Sequence, residues 1–86
     1  MDSFFVKEEI LKILGSCISD INEISKNHDE DISHYGMDSL MFVRIVVILE
    51  NVFETEIPDE YLTITKMNSV NKMSRVILMS IKQSNS

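Results

Sequence analysis

The sequence has few of the residues that an all-β, disulfide-stabilised or membrane-spanning fold requires. It has two glycines, one proline and one cysteine among 86 residues, and no tryptophan. So few turn formers argue against a chain of many short strands. A single cysteine cannot form an internal disulfide, which fits a reducing compartment such as the cytoplasm. No apolar run approaches the ~20 residues that span a bilayer, because Arg44 and Glu50 bracket the longest candidate.

Basic residues are also scarce. Eight lysines and arginines stand against 14 acidic residues, which gives a net charge of −6 at neutral pH. All 14 acidic residues lie within residues 1–60, whereas residues 61–86 hold four bases and no acid. An acidic chain lacks the cationic face that binds nucleic-acid phosphates or anionic lipids. We therefore expect no nucleic-acid partner and no membrane insertion, and we expect the basic C-terminal segment to offset the acidic body.

The chain length allows one small domain, residues 1–86, with a compact core, since 44% of the residues are apolar. A chain this short has little material for a deep cleft between layers, which argues against a metabolic enzyme. We expect no signal peptide in the N-terminal segment, because acidic residues interrupt its apolar run at once. These observations predict a monomeric, cytoplasmic domain.

Apolar residues recur at three- and four-residue steps in three segments, which predicts an all-α fold. The predicted helices cover residues 4–21, residues 39–53 and residues from 70 onward, with a short helical turn at residues 60–64. Asp2 or Ser3 is the expected N-cap of the first helix, Asp38 that of the second, and Ser69 or Asn68 that of the last. The fold class predicted is a small four-helix bundle of three main helices plus a short third helix.

The segment 22–37 loses helical periodicity and is predicted to be a polar loop, with Ile24 and Ile32 packed on the core. Its acidic residues resemble the start of a calcium-binding loop. His34, however, stands where that loop needs glycine, and Leu40 where it needs glutamate. No metal site is predicted.

The second predicted helix carries apolar residues on both of its faces. At 100° per residue, its core face contains Phe42, Ile45, Leu49, Val52 and Phe53. The polar face contains Arg44, but also a row of three apolar residues at positions i, i+3 and i+7, namely Leu40, Val43 and Val47. An exposed apolar row favours a docking surface, unless the helix is buried on both sides.

One segment, Tyr35-Gly36-Met37-Asp38-Ser39-Leu40, suggests chemistry. It places a serine hydroxyl in the first turn of a helix, where free N–H groups and the helix dipole favour a phosphate. Ser39 could therefore be a nucleophile or carry a phosphate ester. A nucleophile needs a base within reach, and the only two histidines lie in the loop. The G-x-S-x-G pattern of hydrolases is absent, which argues against a hydrolase.

The five residues Gly36-Met37-Asp38-Ser39-Leu40 resemble the signature of the acyl carrier protein family, which includes peptidyl and aminoacyl carriers. That signature is a glycine, a hydrophobic residue and Asp-Ser-Leu. Residues 56–60 and Ser69-Val70 resemble two further family segments, so the resemblance covers nearly the whole chain. It implies a four-helix bundle of the acyl-carrier type, 4′-phosphopantetheine attached to Ser39, and no catalytic residue. The implied partners are a phosphopantetheinyl transferase, an acyl- or aminoacyl-loading ligase or acyltransferase, and condensing or tailoring enzymes.

Some positions depart from the fatty-acid carriers, whose second helix is usually acidic. Met41, Arg44, Asn51 and Val52 stand where acids are common there, and Leu62 with Met67-Asn68-Ser69-Val70 is more similar to the aminoacyl and peptidyl carriers. The resemblance therefore implies a free-standing carrier of a specialised polyketide or nonribosomal peptide pathway, with partners recognised by Leu40, Val43, Arg44 and Val47. The alternatives are a fatty-acid-synthesis carrier, or a helical interaction module in which Ser39 is only a neighbour of the cap.

Overall fold

The computed structural model describes residues 2–84, and among them it contains helices, turns and loops but no strand. The α-helices are α1 (Ser3–Cys17), α2 (Ile21–Lys26), α3 (Ser39–Phe53) and α4 (Val70–Ser84). Three 3₁₀ turns cover Ile32–Tyr35, Asp59–Tyr61 and Ile64–Lys66. α1 packs against the other three helices, and α3 also contacts α4. The predicted all-α bundle of four helices is confirmed. None of the helices in the described part of the chain is both long and apolar enough to cross a bilayer.

α1 is shorter than the sequence predicts. Its N-cap is Asp2, whose carboxylate accepts a hydrogen bond from the Phe5 N–H at 2.8 Å. The helix ends at Cys17, because Ile18 adopts an extended backbone with φ −124° and ψ 122°. Ile18 is nevertheless buried. The helical spacing of apolar residues therefore extends beyond the last helical residue. The predicted helix end at Ile21 is wrong for this reason.

The segment predicted as a polar loop contains two short helical elements, α2 and the 3₁₀ turn Ile32–Tyr35. The prediction that Ile24 and Ile32 pack on the core is confirmed, since both are fully buried. Backbone hydrogen bonds join this segment to the start of α4, from the Ile32 N–H to the Asn68 carbonyl at 2.7 Å and from the Asn71 N–H to the His28 carbonyl at 3.0 Å. The middle of the segment, at residues 28 and 32, is thus tied to the start of α4.

The short helical turn predicted at residues 60–64 lies between α3 and α4, and the short α-helix α2 is an addition that the sequence did not predict. Residues 59–66 form two 3₁₀ turns instead of one short α-helix. Three consecutive β-branched residues, Thr63, Ile64 and Thr65, lower the α-helical propensity of this segment. Its ends are fixed by Pro58 and by Ser69, whose hydroxyl accepts a hydrogen bond from the Lys72 N–H at 3.1 Å. Ser69 is therefore the N-cap of α4, as predicted.

The core lies between α1, α3 and α4. From α3 it takes Phe42, Ile45, Val46, Leu49 and Phe53. The predicted core position of Val52 is wrong, since its side chain is 47% exposed. The buried face of α3 is rotated toward Val46, which leaves Val52 at its edge. The segment between α3 and α4 adds Ile57 and Met67 to the core.

Candidate functional site

The segment before Ser39 forms a sharp entry into α3. Gly36 ends the preceding 3₁₀ turn with a left-handed backbone, at φ 85°. Residues other than glycine rarely adopt this backbone conformation. Met37 is buried in the core. Asp38 has an extended backbone and is the N-cap of α3, because its carboxylate accepts a hydrogen bond from the Met41 N–H at 2.8 Å. The predicted turn at Gly36 and the predicted cap are both confirmed.

Ser39 is the first residue of α3, and it is exposed. The Met41 N–H is bound by the cap side chain, and the Phe42 N–H donates to the Asp38 carbonyl at 2.9 Å. The N–H groups of Ser39 and Leu40 have no acceptor within the helix, because the first turn of any α-helix lacks preceding carbonyls. The Ser39 hydroxyl therefore lies in solvent beside the positive end of the α3 dipole.

An open groove extends from Ser39 between α3 and the segment that carries the 3₁₀ turns. Its volume is about 420 Å³, and its lining is Ser39, Phe42, Val43, Leu62, Thr63, Ile64 and Thr65. Among these described residues none is charged and none is a histidine. A groove of this kind can accept an uncharged flexible chain, with apolar walls and threonine hydroxyls for its polar atoms. It offers no base that could activate Ser39 as a nucleophile.

The apolar row on α3 is exposed, as predicted. Leu40 is 77% exposed, Val43 57% and Val47 49%, and Arg44 beside them is also exposed. The alternative that α3 is buried on both sides is therefore wrong. Val43 belongs to both this row and the groove. The row thus continues directly into the groove that begins at Ser39.

Asp31 holds the turn that leads to Ser39, and sequence reasoning missed this role. Its Oδ1 accepts hydrogen bonds from the Ser33 hydroxyl at 2.6 Å, the Ser33 N–H at 3.0 Å and the Asn68 side-chain amide at 3.2 Å. The Ser33 hydroxyl, followed by its backbone N–H, lowers the pKa of Asp31. The sequence signal was Asp-x-Ser, which forms an Asx turn. Asp31 thereby ties the 3₁₀ turn before Gly36 to the start of α4.

The two histidines lie apart from the groove. The imidazole of His34 is 3.6 Å from the Asp31 carboxylate, and the backbone carbonyl of His28 accepts the Asn71 N–H. Within residues 2–84, no group of three or more His, Cys, Asp or Glu side chains is arranged to hold a metal ion. One oxygen of the Asp31 carboxylate, Oδ1, already accepts three hydrogen bonds within the fold.

The comparisons with known proteins agree with this geometry. The chain matches the family model described as the phosphopantetheine attachment site over residues 5–77. That match begins in α1 and ends in α4, so it includes the groove and the entry into α3. No solved structure matches the chain. Since the match covers most of the chain, the protein belongs to the phosphopantetheine-binding carrier family, the acyl carrier protein family, whose members bear 4′-phosphopantetheine covalently on a serine.

Proposed function

We propose that this protein carries acyl or aminoacyl intermediates as thioesters on a 4′-phosphopantetheine arm attached to Ser39. The choice of Ser39 as the attached residue rests on one observation. Ser39 is exposed in the first turn of α3, directly after the capping Asp38 and the buried Met37. A phosphodiester at this hydroxyl lies beside the free N–H groups and the positive dipole of a helix N-terminus, which favour an anion.

The residues around Ser39 fit the group. The one carboxylate next to it, that of Asp38, is directed at the Met41 N–H and is held there by the hydrogen bond. The groove from Ser39 to Thr65 provides apolar walls and hydroxyl groups for a chain that contains both methylene and amide groups. When attached, the arm supplies the thiol that forms the thioester. The protein's own residues supply the attachment point, the groove and the surface that partners bind.

The protein itself performs no chemistry in this proposal. The groove lining contains no base for Ser39, so a phosphopantetheinyl transferase must activate the hydroxyl. A tethered intermediate meets each partner at a high effective concentration. Partners must also release the carrier after each step, which favours small and transient interfaces.

The exposed face of α3 supports a specialised pathway over housekeeping fatty-acid synthesis. Near Ser39 this face presents the apolar row and the cation Arg44. Further along α3, the Glu50 carboxylate accepts a hydrogen bond from the Ile57 N–H at 2.8 Å, so it is partly engaged within the fold. A surface that is apolar and cationic suits partners with a neutral or acidic patch, as expected for a polyketide or nonribosomal peptide carrier.

The mass of the intact protein tests the proposal. We expect the protein, co-expressed with a broad-specificity phosphopantetheinyl transferase, to gain the mass of one phosphopantetheine group, and a tryptic digest to place that mass on the peptide containing Ser39. The absence of any gain would favour the interaction-module hypothesis. A gain on a peptide without Ser39 would reject the assignment of the serine.

A further inference from the structure

A second pocket lies on the other side of the 3₁₀ segment, against α4. Its volume is about 450 Å³, and its lining is Tyr61, Thr65, Lys66, Lys72, Arg75, Val76 and Met79. We call it the basic pocket. Thr65 lines both the basic pocket and the groove at Ser39, so the two are neighbours on the surface. Pockets of about 300–1,000 Å³ are the usual size for small-molecule sites.

The basic pocket concentrates positive charge in an acidic protein. Three of its seven described lining residues are cations and none is acidic, although the whole chain carries a net charge of −6. The ion pairs within residues 2–84 join Lys12 to Glu9, Lys26 to Glu23 and His34 to Asp31, and none involves a cation of the pocket. No carboxylate in the described part of the chain therefore forms an ion pair with a cation of the pocket.

Neutral groups hold two of these cations in place. The Lys72 ammonium donates to the Thr65 carbonyl at 3.1 Å and to the Asn68 side-chain oxygen at 3.0 Å. The Lys66 ammonium donates to the Glu60 carbonyl at 2.8 Å and lies 5.8 Å from the centroid of the Tyr61 ring. These contacts position the ammonium groups at the pocket without neutralising them. Less side-chain entropy is therefore lost when an anion binds.

The interior of the pocket is apolar. Val76 is 5% exposed and packs in the core, while Met79 and Tyr61 are partly buried. Arg75 is exposed and lies one turn of α4 from Met79. A guanidinium binds a carboxylate through two parallel hydrogen bonds, and lysine adds charge without that geometry. The pocket thus combines a cationic rim with an apolar floor.

We propose that the basic pocket binds a carboxylate attached to an aliphatic chain, with the carboxylate at Arg75, Lys66 and Lys72 and the chain against Val76 and Met79. This site requires neither Ser39 nor the arm, so it goes beyond the proposed carrier function. The same chemistry has two possible sources, a free carboxylic acid or the carboxylate end of a tethered cargo, and the experiment below separates them.

An NMR titration of the unmodified protein tests the pocket, with sodium octanoate, 1-octanol and inorganic phosphate as probes. We expect octanoate to shift the signals of Thr65, Val76 and Met79. Octanol and phosphate should bind at least fivefold more weakly, because each lacks one half of the ligand. Equal shifts with octanol or with phosphate would overturn the proposal, as would octanoate shifts confined to the groove around Phe42 and Leu62.

A matched pair of charge reversals on α4 makes the test specific. Arg75→Glu should weaken octanoate binding at least tenfold. Lys82→Glu makes the same change in net charge at an exposed position outside the pocket, and should change binding less than twofold. Equal effects of the two variants would mean that only the overall charge matters, which would reject the site. Arg75→Gln, which introduces no negative charge, should lie between wild type and Arg75→Glu.

Loading the arm identifies the source of the carboxylate. The protein is loaded with octanoyl or with suberoyl, the eight-carbon acyl group that ends in a free carboxylate, and the octanoate titration is repeated. Weaker octanoate binding to the suberoyl form alone assigns the pocket to tethered cargo. Unchanged binding in both forms assigns it to a free ligand. This second experiment depends on the proposed attachment at Ser39, whereas the titration of the unmodified protein does not.

Discussion

Asp38 links the stability of α3 to the position of Ser39. Its carboxylate accepts the Met41 N–H at 2.8 Å, and its carbonyl accepts the Phe42 N–H at 2.9 Å. The next side chain along the chain, that of Ser39, is therefore held at the start of the helix. We expect Asp38→Ala to lower the free energy of unfolding by about 1 kcal/mol and to slow modification of Ser39.

Urea denaturation followed by circular dichroism measures the first effect, and the rate of phosphopantetheine transfer measures the second. Asp38→Asn is the matched control, because an amide oxygen still caps the helix. It should retain most of the stability. An Asp38→Ala variant as stable as wild type would contradict the role of the cap.

The carboxylate of Asp31 should make stability depend on pH. The Ser33 hydroxyl and N–H lower the pKa of this group in the folded protein below its ordinary value of 3.8. A lowered pKa contributes stability that is complete above the unfolded value and is lost as the pH falls through the folded one. Ser33→Ala removes the strongest donor, so it should destabilise the protein at pH 7 and have a smaller effect near pH 2.

Urea denaturation of wild type and Ser33→Ala at the two pH values tests this expectation. Ser25→Ala serves as the control, because the Ser25 hydroxyl donates only to the Asn22 carbonyl. Its effect should not change with pH. A Ser33→Ala effect of the same size at pH 7 and pH 2 would show that the hydroxyl does not act through the ionised Asp31.

α3 carries Ser39, one wall of the groove and the exposed apolar row. Val43 and Val47 are exposed beside Arg44 on the face that leads to Ser39. Apolar side chains in the centre of an interface often provide most of its energy. We expect Val43→Asp and Val47→Asp to lower kcat/KM for modification by a phosphopantetheinyl transferase about tenfold, which is ~1.4 kcal/mol, while the melting temperature stays nearly unchanged.

Val52→Asp is the matched control on the same helix. Val52 is 47% exposed, close to the 49% of Val47, but it lies away from the apolar row of Leu40, Val43 and Val47. This variant should be modified at nearly the wild-type rate. An equal loss of kcat/KM in all three variants would show that the apolar row has no special role in partner binding. Unfolding of Val43→Asp or Val47→Asp would show that the row belongs to the core.

α3 also shows which parts of the structure local sequence signals could predict. Asp38, the exposed row and most of the core face of α3 depend on residues within a few positions of one another, and they were predicted correctly. The exception is Val52, which is exposed at the edge of the core face. The end of α1 was not, because buried Ile18 continues the apolar period after the backbone has become extended. The contact between Asp31 and Asn68 joins residues 37 positions apart, so no local pattern could indicate it.

The whole molecule has an uneven distribution of charge. Residues 1–60 contain all 14 acidic residues and four bases, and the four remaining bases lie beyond residue 60. The sequence suggested that the basic segment offsets the acidic body. Three of its bases meet at the basic pocket, without an ion-pair partner in the described part of the chain, and the offset stays a prediction.

Repulsion within the acidic body should therefore weaken the fold at low ionic strength. We expect the melting temperature to rise between 10 mM and 300 mM sodium chloride. Salt weakens the repulsion between exposed charges, since the screening length is about 10 Å at ~0.1 M. Calorimetry in the two buffers measures this rise. A control titration with sucrose at equal osmolality separates screening from preferential exclusion. An unchanged melting temperature in salt would mean that the bases already balance the acidic body.

The most direct test of the central claim, attachment at Ser39, is the intact mass of Ser39→Ala after incubation with a phosphopantetheinyl transferase and coenzyme A. Ser19→Ala, which removes another exposed serine, is the matched control. We predict that wild type and Ser19→Ala each gain one phosphopantetheine group and that Ser39→Ala gains none. Ser39→Ala should remain folded, since loss of an exposed hydroxyl usually changes stability by less than about 0.5 kcal/mol. A folded Ser39→Ala protein that still gains the group would contradict the account.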